Sequence, residues 1–363
     1  FKQKTAYEIM PSLVGSEMCI RDRAWRLLYA LVVKSRCGAG TIVKSRYNTL
    51  AMEQFRRYLV NIDSALTAQL FADCVIVGAG VAGLRAAIEV AASPDQGERL
   101  AGSQGWKPNV IIVCKGNLTQ SNTYNAQGGI AAVLNNEMDS FDSHIADTLK
   151  TGCGLADEKV VDFVVTKGPE LVSELVKWGA KFDQASGRIA ATLEGGHSHP
   201  RIVHCQGDET GKAIAQTLIR KIRQIPNIRI IENFFAIDLL TQDNQCIGII
   251  GYGEHGLEII WAKTTILATG GAGQLYRETT NPAVATADGL AMAWRAGAVL
   301  TDLEFMQFHP TTLYIAGASR ALITETLRGE GAILRDATGY ASVSYTHLRA
   351  HETRHDLVCR LLL

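Results

Sequence analysis

The stretch Cys74–Ala92, CVIVGAGVAGLRAAIEVAA, decides the fold. CVIV is a short apolar run of the kind that forms a strand covered on both faces. Gly78-Ala79-Gly80-Val81-Ala82-Gly83 follows at once, and the remainder has the Ala and Leu spacing of a packed helix. Strand, GxGxxG and helix in that order make a phosphate-binding turn. Gly78 permits the sharp reversal, Gly80 lets backbone approach a pyrophosphate, and Gly83 lets the helix settle on the strand. The first N–H groups of the helix then face the phosphates with the positive end of its dipole.

Working outward, Val110–Val113 reads as the next strand. It ends in Cys114-Lys115, where an acid would bind a ribose hydroxyl. A lysine there neutralises phosphate, which suits NADP or a variant FAD site, so the turn alone leaves the dinucleotide open. Ser93–Asn109 is long and polar and reads as a surface insertion. Asn227–Leu240 is strand-like, Cys246–Gly251 and Leu257–Ala262 pair as a hairpin, and Lys263–Ala268 is a further strand before Thr269-Gly270-Gly271. Helices are expected over Asp157–Trp178, over Gly211–Gln224 with Asp208 or Thr210 as N-cap, and over Thr286–Gly297. This alternation predicts an α/β fold, a Rossmann-like domain with a parallel sheet.

Basic and acidic side chains both number 36, so no net field draws nucleic acid. No apolar run is long enough to span a membrane. The ends differ from the middle. Residues 1–23 and 343–363 lack any period and read like translated sequencing adapters, so they are excluded from fold reasoning. Residues 24–51 are basic and acid-free, and read as translated leader before a start at Met52. The cysteines (Cys19, Cys37, Cys74, Cys114, Cys153, Cys205, Cys246 and Cys359) form no CxxC and no metal-ligand spacing. That usage fits a reducing, cytoplasmic location, with Cys74 and Cys114 as core hydrophobes.

Further motifs carry a resemblance. SNTYNAQGGIAA (Ser121–Ala132), LATGG (Leu267–Gly271), FHPT (Phe308–Thr311) and TETLRGEGA (Thr324–Ala332) resemble the succinate dehydrogenase/fumarate reductase flavoprotein family. EGGHSHPRIVH (Glu194–His204) and TTNP with DGLAMAWRAG (Thr279–Gly297) resemble its aspartate-oxidising branch. The likeness runs from Phe71 to Asp336.

The resemblance implies FAD as an extended ligand. Ala79, Gly80, Val81 and Ala82 would sit at the pyrophosphate, between Gly78 and Gly83, with Lys115 near the ribose and phosphates. Asn122, Thr123, Tyr124, Asn125, Ala126, Gln127, Gly128 and Gly129 would wrap the flavin, and Ala236, Thr269, Gly270 and Asp288 would also meet the cofactor. Respiratory members carry a flavin-bonded histidine where Asn122 stands, so the FAD is expected to be noncovalent. The implied reaction is oxidation of L-aspartate to iminoaspartate, for NAD biosynthesis through quinolinate. Hydride would pass from Cα to flavin N5, with oxygen or fumarate as acceptor and quinolinate synthase as the downstream partner.

The resemblance also implies roles for five side chains. His309 and Thr324 would bind a substrate carboxylate, and Glu194 would face the ammonium. Glu325 and Arg328 would relay a proton to an arginine further downstream in the family. His197 and His199 have no further ligands at metal spacing, so no metal is expected. The expected organisation is a leader (1–51), an FAD-binding domain (52–302), a partial capping domain (303–342) and a foreign tail (343–363). His351, Arg354 and His355 in that tail are not the family's downstream groups. Three other readings stay open: a flavoprotein subunit of a fumarate reductase or succinate dehydrogenase, an inactive flavin-binding fragment, and an NADPH-dependent oxidoreductase prompted by Lys115.

Overall fold

The computed structural model describes residues 57–92, 107–135, 137–307, 309, 312–313, 321–323, 333 and 335. The apolar run becomes the end of β1 (Ala68–Val77), whose turn leads into α1 (Val81–Ala92). Next come β2 (Val110–Val113), the single-turn α2 (Asn122–Asn125), β3 (Ile130–Ala131), α3 (Phe141–Thr151) and α4 (Glu158–Lys177). A hairpin of β4 (Gln184–Ala185) and β5 (Arg188–Ile189) precedes β6 (Ala191–Thr192), β7 (Ile202–Val203) and α5 (Thr210–Ile222). Then follow β8 (Ile228–Ile231), β9 (Phe235–Gln242), β10 (Gln245–Gly253), β11 (Gly256–Leu267) and α6 (Asp288–Arg295). Last among the described residues, β12 (Thr312–Leu313) pairs with β13 (Ala321–Leu322).

The main sheet runs β8-β2-β1-β11-β10-β9. The first four strands are parallel, and β10 pairs antiparallel with both β11 and β9. Val77 of β1 pairs with both Val113 of β2 and Leu267 of β11, so three strands end side by side. Ligands of open α/β sheets bind outside such carboxyl ends. A smaller antiparallel sheet, β3-β7-β6, ties Thr192 and Ala191 to the segment after the flavin-type motif.

Strand periodicity explains the two-sided core. Cys74 and Ile76 point to one face, against Leu84 and Ala87 of α1 and Leu218 and Ile222 of α5. Val75 and Val77 point to the other, with Phe234, Ile249, Ile260 and Met292. Both faces are covered, so β1 and β2 have no polar alternation. Burial pushes the Cys74 thiol up to about 11 and the Cys114 thiol to about 12, with Asp73 and Glu232 adding to the effect. Both are inert packing groups.

Several boundaries differ from the sequence reading. Leu257–Ala262 and Lys263–Ala268 are one strand, β11, because its ladder to β1 keeps a single register from Glu258 to Leu267. Asn227–Leu240 breaks at Glu232, whose carboxylate accepts the Leu118 N–H at 2.7 Å. Neither Asp208 nor Thr210 caps α5: Glu209 holds the cap position without a side-chain bond, and Thr210 accepts the Cys205 N–H at 3.2 Å. The helix expected from Thr286 starts at Asp288, because Ala287 is left-handed with φ 64°. Asp157–Trp178 holds as α4, with Asp157 capping the N–H groups of Lys159 and Val160. Most of the expected insertion, 93–106, lies outside the described residues.

Candidate functional site

The glycine turn is held by backbone. Gly78 N–H donates to Val113 O at 2.8 Å, and Ala268 N–H donates to Val77 O at 2.8 Å. Gly78 has φ +114°, and a Cβ there would lie 2.1 Å from Ala268 O. A Cβ on Gly83 would lie 1.9 Å from Gly78 O. These two positions accept no other residue without a backbone shift. Gly80 meets only Thr123 Oγ1, at 3.4 Å, so its backbone stays approachable. The Val81 N–H donates to Thr123 Oγ1 at 3.0 Å. The first turn of α1 carries no acid, so nothing there repels an anion.

An open cleft lies over the three strand ends. Of the expected cofactor residues, Gly78, Ala79, Gly80, Lys115, Asn122, Thr123, Ala236, Thr269, Gly270 and Asp288 line it. Val81, Ala82 and Gly83 belong to the helix beside it. Gly116, Gln120, Phe234 and Phe235 line it too, and the sequence reading missed them. Their signal is placement alone, since each lies just past β2 or β8 at the same sheet edge. Lys115 does not stand alone: its Nζ lies 2.5 Å from Asp288 Oδ2, beside Thr286. The pair closes one wall of the cleft.

The expected flavin loop divides. Tyr124 faces a different groove, with Lys181 and Arg220. Asn125 is exposed, and Ala126 O accepts the Gly211 N–H at 2.9 Å, docking the loop on α5. Gly128 has open space where a Cβ would project, whereas a Cβ on Gly129 would meet Ile202, Val203 O and His204 within 2.8 Å. Packing alone therefore holds position 129 to glycine. Gln127 Oε1 is buried without a hydrogen-bond partner among the described residues. A bare glycine backbone, an open cradle and an orphaned acceptor suit an aromatic ligand rich in hydrogen-bonding edges.

The EGGHSHPR segment forms a loop between β6 and β7. Glu194 Oε1 lies 2.9 Å from His204 Nε2, with side-chain exposures of 14% and 7%. Arg201 is fully buried. It grips Asp139 through Nε and Nη2, both at 2.7 Å, and Asp147 through Nη1 at 2.7 Å. It also contacts His197 Nδ1 at 3.2 Å. Burial opposes the Asp147 charge, yet bonds from Ser198 and Arg201 outweigh it and hold that carboxyl at about 2. Burial, then the Arg201 cation and the neighbouring His197, drives His144 down to about 4. Burial and Arg201 lower His197 as well. His199 meets Ser143 and Ser198 through Nδ1. The sequence reading missed the Arg201 clamp, because nothing in HPRIVH marks that arginine as interior. His309 is a half-buried loop residue, and Thr324, Glu325 and Arg328 lie outside the described residues.

A parallel sheet ending in a glycine turn, a helix N-terminus and an ion-paired wall define a dinucleotide-binding domain. Within that class, the chain belongs to the FAD binding domain family, whose model matches residues 73–358. The cofactor is FAD. Among curated relatives, the L-aspartate oxidase of Streptomyces coelicolor is 41% identical over 301 residues, covering 80% of this chain and 49% of its own. That of Vibrio cholerae is 40% identical over 304 residues, covering 80% and 54%. The chain thus spans about half the length of the curated relatives it matches. Among solved structures, an E. coli quinol fumarate reductase superposes with TM-score 0.68 at 35% identity, covering 76% of this chain and 45% of that one. These likenesses place the fold in the succinate dehydrogenase/fumarate reductase flavoprotein group.

Proposed function

We propose that this chain carries the FAD-binding portion and part of the substrate site of an L-aspartate oxidase, forming iminoaspartate. The observation that carries this reading is the Glu194 carboxylate, fixed 2.9 Å from His204 on a loop clamped by Arg201. Its substrate has two carboxylates and one ammonium. Glu194 meets the ammonium in a charge-assisted hydrogen bond. His309 and Thr324 bind a substrate carboxylate, which fixes the Cα–H direction. Glu325 and Arg328 pass on the proton lost from nitrogen. When bound, FAD supplies the hydride acceptor for Cα, and electrons leave to oxygen or fumarate. Gly78–Gly80 and Thr269-Gly270 hold its pyrophosphate end, the Lys115–Asp288 wall its ribose, and Asn122 through Gly129 its ring. Asparagine at 122 forms no bond to flavin, so the cofactor is held noncovalently. The product passes to quinolinate synthase for NAD biosynthesis in the cytoplasm.

The likeness to quinol fumarate reductase favours a second reading, a dicarboxylate-only flavoprotein. Glu194→Gln separates the two. Aspartate turnover should fall far more than fumarate reduction, and equal losses remove the amino-binding role.

A further inference from the structure

We propose that the basic groove sharing the 117–124 segment with the FAD cleft binds a nucleoside diphosphate, and that its occupancy slows FAD release. Neither Glu194 nor His309 lines this groove, so the inference stands whichever dicarboxylate the enzyme oxidises.

The groove has a volume of about 500 Å³, the size of a small-ligand site. It is lined by α5, the turn after α4 and the 117–124 segment. Lys181, Arg220 and Arg223 face it against one lining acid, Glu232, whose carboxylate already accepts the Leu118 N–H at 2.7 Å. Among the described residues none of these three cations has a carboxylate partner. The Arg220 guanidinium donates instead to Thr217 Oγ1 at 3.1 Å and, at 3.4 Å, to Gln216 O and Gly179 O. Lys212, on the same helix but outside the groove, is by contrast paired with Glu209 at 2.7 Å. Long bonds to neutral oxygens leave the Arg220 fork available for phosphate oxygens, which it matches in shape and charge.

Cations alone would suit a bare phosphate. Tyr124 and the apolar Ile219 line the groove beside them, with the carboxamides of Gln206 and Gln216. An aromatic ring takes a flat base by stacking, and carboxamides meet the donors and acceptors on its edge. The link to FAD runs through the single-turn α2. Its Asn122 and Thr123 line the FAD cleft, its Tyr124 lines the groove, and Asn117 lines both. The turn is one unit: Ser121 Oγ accepts the Tyr124 N–H at 3.1 Å, and Ala126 O accepts the Gly211 N–H of α5 at 2.9 Å. A ligand that fixes Tyr124 against α5 fixes the turn that faces FAD, so each ligand lowers the ordering cost of the other.

ADP, pyrophosphate and adenosine are titrated calorimetrically into the FAD-loaded enzyme in its full reading frame, so that the cofactor cleft is already filled. ADP should bind one to one, with pyrophosphate and adenosine each about tenfold weaker or more. Lys181→Gln combined with Arg220→Gln should weaken ADP about tenfold or more. Arg188→Gln combined with Arg229→Gln removes the same charge from exposed positions outside the groove, and should change ADP affinity by less than about twofold. The coupling is read as the rate of flavin release after dilution, a rate that competition for the cofactor cleft leaves unchanged. Saturating ADP should slow release about fivefold or more in the parent. The Lys181/Arg220 variant should match the parent without ADP and show no slowing with it. Absence of ADP binding to the FAD-loaded enzyme, equal weakening by both double variants, or pyrophosphate or adenosine binding as tightly as ADP overturns the site. A release rate that ADP leaves unchanged or raises overturns the coupling. If the Lys181/Arg220 variant does not fold, Arg223→Gln, at the exposed C-cap of α5, decides the same question by a loss of ADP affinity.

Discussion

Replacing Arg201 by methionine probes the clamp at the base of the Glu194 loop. The side chain is 0% exposed and ion-paired to Asp139 and Asp147, whose side chains are 4% and 17% exposed. Methionine fills the space but leaves two carboxylates close together without their cation. Breaking a buried pair by removing one partner costs about 3–5 kcal/mol. Asp147 gives an independent scale: its carboxyl sits at about 2 against an ordinary 3.8, which corresponds to about 2 kcal/mol for one of the two acids. The sign follows from the direction of that shift. A depressed carboxyl stabilises the fold above its unfolded value and loses that contribution as pH falls toward 2. In Arg201→Met the carboxyls protonate readily, so the gap between parent and variant should narrow on acidification. Urea unfolding of the two proteins at pH 7 and at pH 4 reads both quantities. A deficit under about 1 kcal/mol at pH 7, or a gap that widens on acidification, refutes the reasoning.

Gly83→Ala sets a Cβ 1.9 Å from Gly78 O, so the purified protein should lose most bound FAD, read as the flavin-to-protein ratio. Lys115→Met unpairs Asp288 in the wall of the cleft and should weaken FAD affinity about tenfold or more by titration; unchanged affinity would place the ribose elsewhere. With Asn122 in the loop, denaturation should release all flavin, and fluorescence left on the denatured band would contradict noncovalent binding. His144 should titrate near 4 by NMR, because burial, then the Arg201 cation and the neighbouring His197, disfavour its charged form. Its folded value lies below 6.5, so the unfolded chain takes the proton first, and stability should fall as pH drops from 6.5 toward 4.

The sheet and its turn were legible because their causes are local. CVIV is apolar on both faces, and Gly78 and Gly83 stand where a Cβ meets backbone oxygen. Longer-range pairing was not legible. β11 looked like two strands because Lys263-Thr264-Thr265 interrupts the apolar run, yet its ladder to β1 keeps one register across them. The short strands β3, β6 and β7 are two residues each, too brief to show a period. Glu194 stood out by motif, but its partner His204 could not, since the pairing spans a ten-residue loop. Arg201 was hidden for a different reason. Buried arginine is rare and needs carboxylates from another element, here Asp139 and Asp147 beside and on α3. Asp208 and Thr210 are good caps by residue type, but Thr210 is drawn to the Cys205 N–H instead.

Anaerobic addition of L-aspartate, and separately of succinate, to the FAD-loaded enzyme in its full reading frame is the decisive measurement, followed through flavin absorbance. L-aspartate should bleach the flavin while succinate leaves it oxidised. Bleaching by succinate with no response to L-aspartate would contradict a site in which Glu194 faces a substrate nitrogen.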